Sequence, residues 1–135
     1  MKGRFKKYFT VAEANQALPL VRRIVKDILD LSHEMRSLAL ILGEDAEANP
    51  QLQEMLEEMK GFLKELEDVG CFYKDWNFSV GLVDFPAIVD GEEVYLCWRS
   101  DEPEIRYYHP IDQGYSARRV LPRVDATSPP PSVRS

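Results

Sequence analysis

Cysteine pairs, long apolar runs and basic charge are all scarce in this chain, and each scarcity closes a class of function. Cys71 and Cys97 are its two cysteines. They lack CxxC spacing, so neither a zinc ribbon nor a thioredoxin-type redox pair is indicated, and reduced thiols are expected. No stretch of about 18 uncharged apolar residues occurs, and no run of signal-peptide length follows the basic segment from Met1 to Phe9. The expectation is a cytoplasmic protein with no membrane contact. Glycine-rich phosphate loops, nucleophile elbows, dinucleotide fingerprints and zinc-protease motifs are missing too. Basic residues are in deficit, with 17 Lys and Arg against 23 Asp and Glu and a formal net charge of -6. Phosphate backbones require a basic surface, so no nucleic-acid partner is expected. The imbalance is uneven, residues 1–7 being basic and residues 43–68 acidic. Such runs read as solvated faces, with attraction between subunits as the alternative.

What is present starts with two helices. Thr10-Val-Ala-Glu13 is a capping box, in which the Thr10 hydroxyl accepts from the Glu13 N–H and the Glu13 carboxylate accepts from the Thr10 N–H. A helix therefore starts near Val11. Its apolar positions Leu18, Val21, Val25, Ile28, Met35, Ala39 and Leu42 step by threes and fours, with Ser32 the weak member and Gly43 the stop. Pro19 lacks the N–H that would bond the Asn15 carbonyl, so a kink or break is expected near Ala17 and Leu18, making the first two turns a separate arm. Asn49-Pro50 is an N-cap followed by proline at the first helical position, and a second apolar stripe from Leu52 to Val69 ends at Gly70. A short polar loop between helices of about 30–35 Å predicts an antiparallel hairpin. Leu20, Ile24, Leu31 and Leu38 form a surplus row, so the hairpin should also pack on a sheet or on a second copy across a dimer axis. A homo-oligomer, a dimer through the helices, is the expected assembly. At 135 residues a single modest core is available, and a partner subunit would help to cover it.

After Gly70 the residues turn β-branched and aromatic. Cys71 to Tyr73 reads as a short strand, followed by an irregular link through Trp76 to Ser79. Asp90-Gly91 between two apolar runs is the sequence of a two-residue type I′ hairpin turn. That turn sets Val89 opposite Glu92, Ala87 opposite Val94, Phe85 opposite Leu96, and Asp84 opposite Cys97. Alternation then puts Val83, Phe85, Ala87, Val94, Leu96 and Trp98 on one apolar face suited to the helices. Asp84, Pro86, Tyr95, Cys97 and Arg99 fall on the other face. Pro86 cannot donate to a ladder and belongs at a sheet edge or a bulge. A four-residue turn from Ser100 to Pro103 would return Glu104 to His109 as a third strand, with Arg99 opposite Glu104 and Cys97 opposite Arg106. The fold class is α+β: a kinked long helix and a second helix as an antiparallel hairpin, followed by a small antiparallel β-meander. Residues 1–121 form a single domain, and residues 122–135 a disordered tail rich in Pro and Ser.

Two readings compete for the far face of the hairpin. Asp84, Arg99 and Arg106 could make cross-strand salt bridges on a solvated sheet, or Arg99 and Arg106 could offer planar forks to a small anion between aromatic walls. His109-Pro-Ile-Asp112 sets an imidazole and a carboxylate three residues apart at the end of a strand, a spacing that serves a divalent metal if Asp84, Glu104 or Cys97 completes it. Cys97 could act as a nucleophile if His109 and Asp112 converge on it, although a cysteine within a strand is more often a small buried hydrophobe. In Gly114-Tyr-Ser-Ala-Arg118-Arg119 the arginines could hold an anion or fold back onto the acidic second helix. Asp30 and His33, with Glu54, Glu57 and Glu58, lie beside the apolar stripes and read as an outer charged face rather than a helical metal site.

Several stretches resemble an uncharacterised bacterial family filed as domain of unknown function 2203. They are Phe9-Thr-Val-Ala-Glu-Ala-Asn15 with Leu18-Pro19, Gly81-Leu-Val-Asp-Phe-Pro86, Val94-Tyr-Leu-Cys-Trp-Arg99, Glu102-Pro-Glu-Ile105, Tyr108-His109, and Gly114-Tyr115 with Arg118 or Arg119. The resemblance spans about Phe9 to Leu121. Tyr108 stands where the family pattern has Trp, and Tyr115 where it has Phe. The resemblance implies no activity, but it does imply that the hairpin and the segment from His109 to Arg119 are the family's common feature. The first functional expectation is a homo-oligomeric binding protein that presents Asp84, Arg99, Arg106, His109, Asp112 and Arg118 to a small anion or a divalent metal. The second is an interaction module that uses the helical hairpin, and the third a small enzyme built on Cys97, His109 and Asp112.

Overall fold

The computed structural model describes residues 4–75 and 80–122. The link from Trp76 to Ser79 and the tail from Arg123 onward lie outside the described residues. Two helices, α1 (Val11–Leu42) and α2 (Pro50–Val69), precede the strands β1 (Phe72–Tyr73), β2 (Leu82–Val89), β3 (Glu92–Arg99), β4 (Tyr107–Pro110) and β5 (Arg119–Val120). The strands form one antiparallel sheet in sequential order. The fold is therefore α+β, a helical hairpin on a β-meander.

Both helix starts follow from their caps. Thr10 and Glu13 make the reciprocal bonds of a capping box, and the Asn49 side chain accepts from the Leu52 N–H ahead of Pro50. Pro19 does not break the helix: α1 runs continuously through it, and the first two turns are not a separate arm. Proline inside a helix costs about 3 kcal/mol. Opposing that cost, Ala14, Leu18 and Val21 are buried on either side of Pro19, and each large aliphatic contributes about 1.5–3 kcal/mol. Asn15 adds a tie across the layers. Its amide nitrogen donates to the Val11 carbonyl at 3.1 Å, and its Oδ1 accepts from the Ile105 N–H at 2.8 Å. Tertiary burial thus outweighs the local defect.

Asp90 (φ 52°) and Gly91 (φ 80°) form the tight turn between β2 and β3 with positive φ at both central positions. The β2–β3 register is the one the turn dictates, from Val89 opposite Glu92 to Asp84 opposite Cys97. Val83, Phe85, Ala87, Val94, Leu96 and Trp98 all lie in the core against α1 and α2. Gly81 is required by a close approach, since a Cβ there would stand 2.3 Å from Val25 Cγ1 of α1. Pro86 needs no ladder donor, because its carbonyl faces outward and accepts from the Phe9 N–H at 2.7 Å. β1 covers β2 only at Val83 and Asp84, so Pro86 sits on an open stretch of edge.

The register of β4 differs from the expected one by a residue. Cys97 faces Tyr107, not Arg106, and Tyr95 faces His109. The connection is longer than a four-residue turn because Ile105 is drawn into the core and held by Asn15. The same segment is pinned at Glu102, whose carbonyl accepts from Trp98 Nε1 and whose carboxylate accepts from the Arg99 N–H. A one-residue slip exchanges the two faces of a strand. The expected pairing would have turned His109 toward Val94 and the core, whereas the observed one turns it toward Asp84 and Cys97. β5 and the 3₁₀ turn Tyr115–Ala117 replace what the sequence presents as an irregular segment.

Candidate metal centre

The face of the sheet away from the helices is not solvated, contrary to one of the two expectations for it. Phe5 packs on Tyr95 and Phe72 with ring centroids 5.5 and 5.9 Å apart, and the Tyr8 hydroxyl donates to Glu93 at 2.6 Å. At the other end, the segment after β4 folds over the strands. Beneath this cover three neighbouring strands each contribute one polar side chain. Asp84 comes from β2, Cys97 stands directly opposite it on β3, and His109 lies diagonally across on β4. Because the outward carbonyl of Pro86 makes Pro86–Tyr95 a non-hydrogen-bonded pair, Asp84–Cys97 two residues along is another. In such pairs the Cα atoms come within about 4.5 Å and the side chains are close.

The three residues are 3 %, 1 % and 2 % exposed, in the order Asp84, Cys97 and His109. One ligand atom from each, a carboxylate oxygen, the thiol sulfur and an imidazole nitrogen, all lie within 4.8 Å of one another. His109 is held from both sides. Nδ1 is 2.8 Å from the Pro110 carbonyl, and Nε2 is 3.1 Å from each oxygen of Asp84. A carbonyl only accepts, so Nδ1 carries the hydrogen. Nε2 then faces an acceptor, and either a second proton or a cation must lie between them. Burial pushes the His109 pKa down, but the Asp84 carboxylate and the Pro110 carbonyl outweigh it and hold the value above the ordinary one. Burial first, and then the Asp84 charge, push the Cys97 thiol up to about 12, so without a cation it is a neutral thiol donor rather than a nucleophile. A coordinated metal reverses that, because a ligating thiol is deprotonated outright.

The cluster opens into a cavity of about 210 Å³ walled by Leu82, Tyr95, Ile111 and Tyr115, with Lys74 and Gln113 at its margin. Tyr115 is positioned by two arginines. Arg99 Nη1 donates to its hydroxyl at 2.9 Å, and the Arg118 guanidinium lies between the Tyr107 and Tyr115 rings, 4.0 and 4.7 Å from their centroids. Arg118 Nη2 also donates to both Glu102 oxygens at 2.6 and 2.8 Å and to the Cys97 carbonyl at 3.2 Å. It therefore braces both the cavity's cover and the backbone of a candidate ligand.

Of the residues nominated from the sequence, Asp84, Cys97 and His109 converge. Asp112 does not join them: it is exposed, and Asp84 takes the place beside His109 that the sequence offered it. Arg106 is exposed and paired with Glu104 at 2.9 Å, away from the cluster. Arg99 is paired with Asp101 at 3.0 Å at the cavity's edge. Arg118 lies on the cover and binds Glu102 rather than folding back onto α2. Sequence reasoning passed over Lys74. It follows a strand of two residues, too short for alternation to assign a face. Its N–H donates to the Leu82 carbonyl at 2.8 Å, continuing the β1–β2 pairing and placing Lys74 on the Asp84 side of the sheet.

The family model described as "Uncharacterized conserved protein (DUF2203)" matches residues 7–121. The chain belongs to this family. The matched span holds Asp84, Cys97 and His109 and the cover from Tyr8 to Arg118, whereas Phe5, which packs on Tyr95, precedes it. No curated protein and no solved structure matches the chain. Among the described residues, no helix is long and apolar enough to cross a membrane.

Proposed function

We propose that this protein binds a divalent transition metal, with zinc the best chemical fit, through Asp84, Cys97 and His109. One observation carries the reading: a buried imidazole whose Nδ1 is held by a backbone carbonyl turns its Nε2 toward a carboxylate and a thiol on adjacent strands. Ligating histidines characteristically donate their other ring N–H to such a carbonyl, which fixes tautomer and ring orientation. The mixed O, S and N donors suit zinc or cobalt better than magnesium or calcium, which prefer all-oxygen sets. A thiolate and a carboxylate together neutralise a dication, so the charge can sit in a covered site. Three protein donors leave one tetrahedral position for a water or an exogenous ligand from the cavity.

The small-anion alternative built on arginine forks is less well supported, because Arg99, Arg106 and Arg118 each have a carboxylate partner. Two reduced thiols fit a cytoplasmic protein. The test is metal content by mass spectrometry after purification and after dialysis against zinc. About one equivalent per chain is expected, retained by Asp112→Ala and lost by His109→Ala and by Cys97→Ser. Equal metal content in all four proteins would refute the site.

A second reading concerns assembly. Leu40 and Ile41 near the end of α1 are 80 % and 82 % exposed, and among the described residues from Pro50 to Glu58 of α2 none is fully buried. This favours a homodimer, or a protein partner, that covers the distal half of the hairpin.

A further inference from the structure

The metal reading leaves open what occupies the fourth coordination position, and the walls of the cavity restrict the choice. The space of about 210 Å³ corresponds to about seven water molecules. A ligand of only a few heavy atoms fills it. Among the described residues that wall it, Asp84 is the sole acid. Once Asp84 and the Cys97 thiolate neutralise a dication, the remaining formal charge at the cavity is the ammonium of Lys74.

That ammonium is available. Among the described residues Lys74 makes no ion pair, not even with Glu67, which shares the adjoining cavity with it. It lies 4.8 Å from the Tyr95 ring centroid, and its backbone is tied to Leu82, so it is held near the cavity. The neighbouring arginines are already paired with acids and cannot compete for a ligand without breaking those pairs.

We infer that the cavity takes a short-chain carboxylate, one oxygen at the open position of the metal and the other toward the Lys74 ammonium. The inference rests on the metal reading above. A Lewis acid and an ammonium at one small cavity match the two oxygens of a carboxylate, and a monoanion balances the single charge left over. A halide satisfies the metal but has no second atom for Lys74. Leu82, Ile111 and the two tyrosine rings would cover the short apolar remainder of the acid.

The experiment uses the full chain loaded with cobalt(II), whose visible absorption reports its coordination sphere. Cobalt content is measured first, and then acetate is titrated at constant ionic strength, with chloride as the comparison anion. A saturable spectral change with acetate is expected, weaker by about tenfold in Lys74→Gln and largely retained in Lys74→Arg, with cobalt content unchanged in both. The inference is overturned if loaded protein shows no response to acetate, if chloride produces the same change at the same concentrations, or if Lys74→Gln binds acetate as well as the wild type. Failure to take up cobalt overturns the metal reading itself, and this inference with it. The first measurement therefore separates the two failures.

Discussion

His109 Nε2 lies 3.1 Å from each carboxylate oxygen of Asp84, 25 residues earlier in the chain, with both side chains almost wholly removed from solvent. The two meet because three strands in sequential order bring one residue each to the same face. Burying such a pair costs several kcal/mol per ion unless something between them compensates, and a metal with two anionic ligands is one such compensation.

Metal should therefore stabilise the fold. At a free zinc concentration about a hundred times the dissociation constant, linkage adds about 2.7 kcal/mol. For a domain of this size that raises the unfolding midpoint by roughly 5–10 °C. Differential scanning fluorimetry with zinc and with chelator measures it. His109→Ala should abolish the difference, and coincident curves for the wild type would argue against binding.

Removing Arg118 should destabilise the protein strongly. The Arg118 and Glu102 side chains are 12 % and 19 % exposed, and truncating one partner leaves the other charge poorly solvated, at about 3 kcal/mol. Arg118→Ala is expected to lower the urea midpoint, and the double variant with Glu102→Ala should recover part of that loss. A double variant no better than the single one would show that the aromatic sandwich, not the ion pair, carries the effect.

At Gly81 the predicted change is steric. Gly81→Ala sets a methyl 2.3 Å from Val25 Cγ1, an overpacking that costs about 1–3 kcal/mol. Val25→Ala introduced alongside should be less harmful than it is alone, and urea unfolding of the three variants measures this coupling.

Acid sensitivity should depend partly on Tyr8. The Tyr8 hydroxyl first, and then the Arg4 N–H and charge, hold the Glu93 carboxyl below its ordinary value. A pKa lowered in the folded state gives stability that is present above the unfolded value of about 4.3 and is lost as pH falls through the folded one. Tyr8→Phe removes the largest cause. The stability gap between wild type and Tyr8→Phe should therefore be wider at neutral pH than at about pH 3, by urea titration at both. A gap independent of pH would assign the Tyr8 effect to the bond its hydroxyl accepts from the Phe5 N–H.

The distal hairpin offers a test of assembly. Leu40→Glu with Ile41→Glu changes two exposed apolar residues and should convert a dimer to a monomer by light scattering without altering helicity. A wild type that is already monomeric would remove the dimer and leave the surface to a different partner.

Local chemistry in the sequence was enough to determine the elements and the central pairing. The Thr10–Glu13 capping box and the Asn49-Pro50 start mark both helices, and the positive-φ pair Asp90-Gly91 permits one hairpin register. A two-residue turn leaves no slack, so Asp84 opposite Cys97 follows from the turn alone. Only the tertiary structure decided the rest. Seven residues join β3 to β4, and a connection of that length admits several registers. Burial of Ile105 and its bond to Asn15 select the one that turns His109 toward Asp84 rather than toward the core. The same long-range packing carries α1 through Pro19 and covers the outer face of the sheet. It also leaves Asp112 in solvent, three residues from the imidazole it was expected to join. Short-range steric rules act within a few residues and can be read along the chain, whereas the choice among loop registers is made by side chains up to about ninety residues apart, such as Asn15 and Ile105.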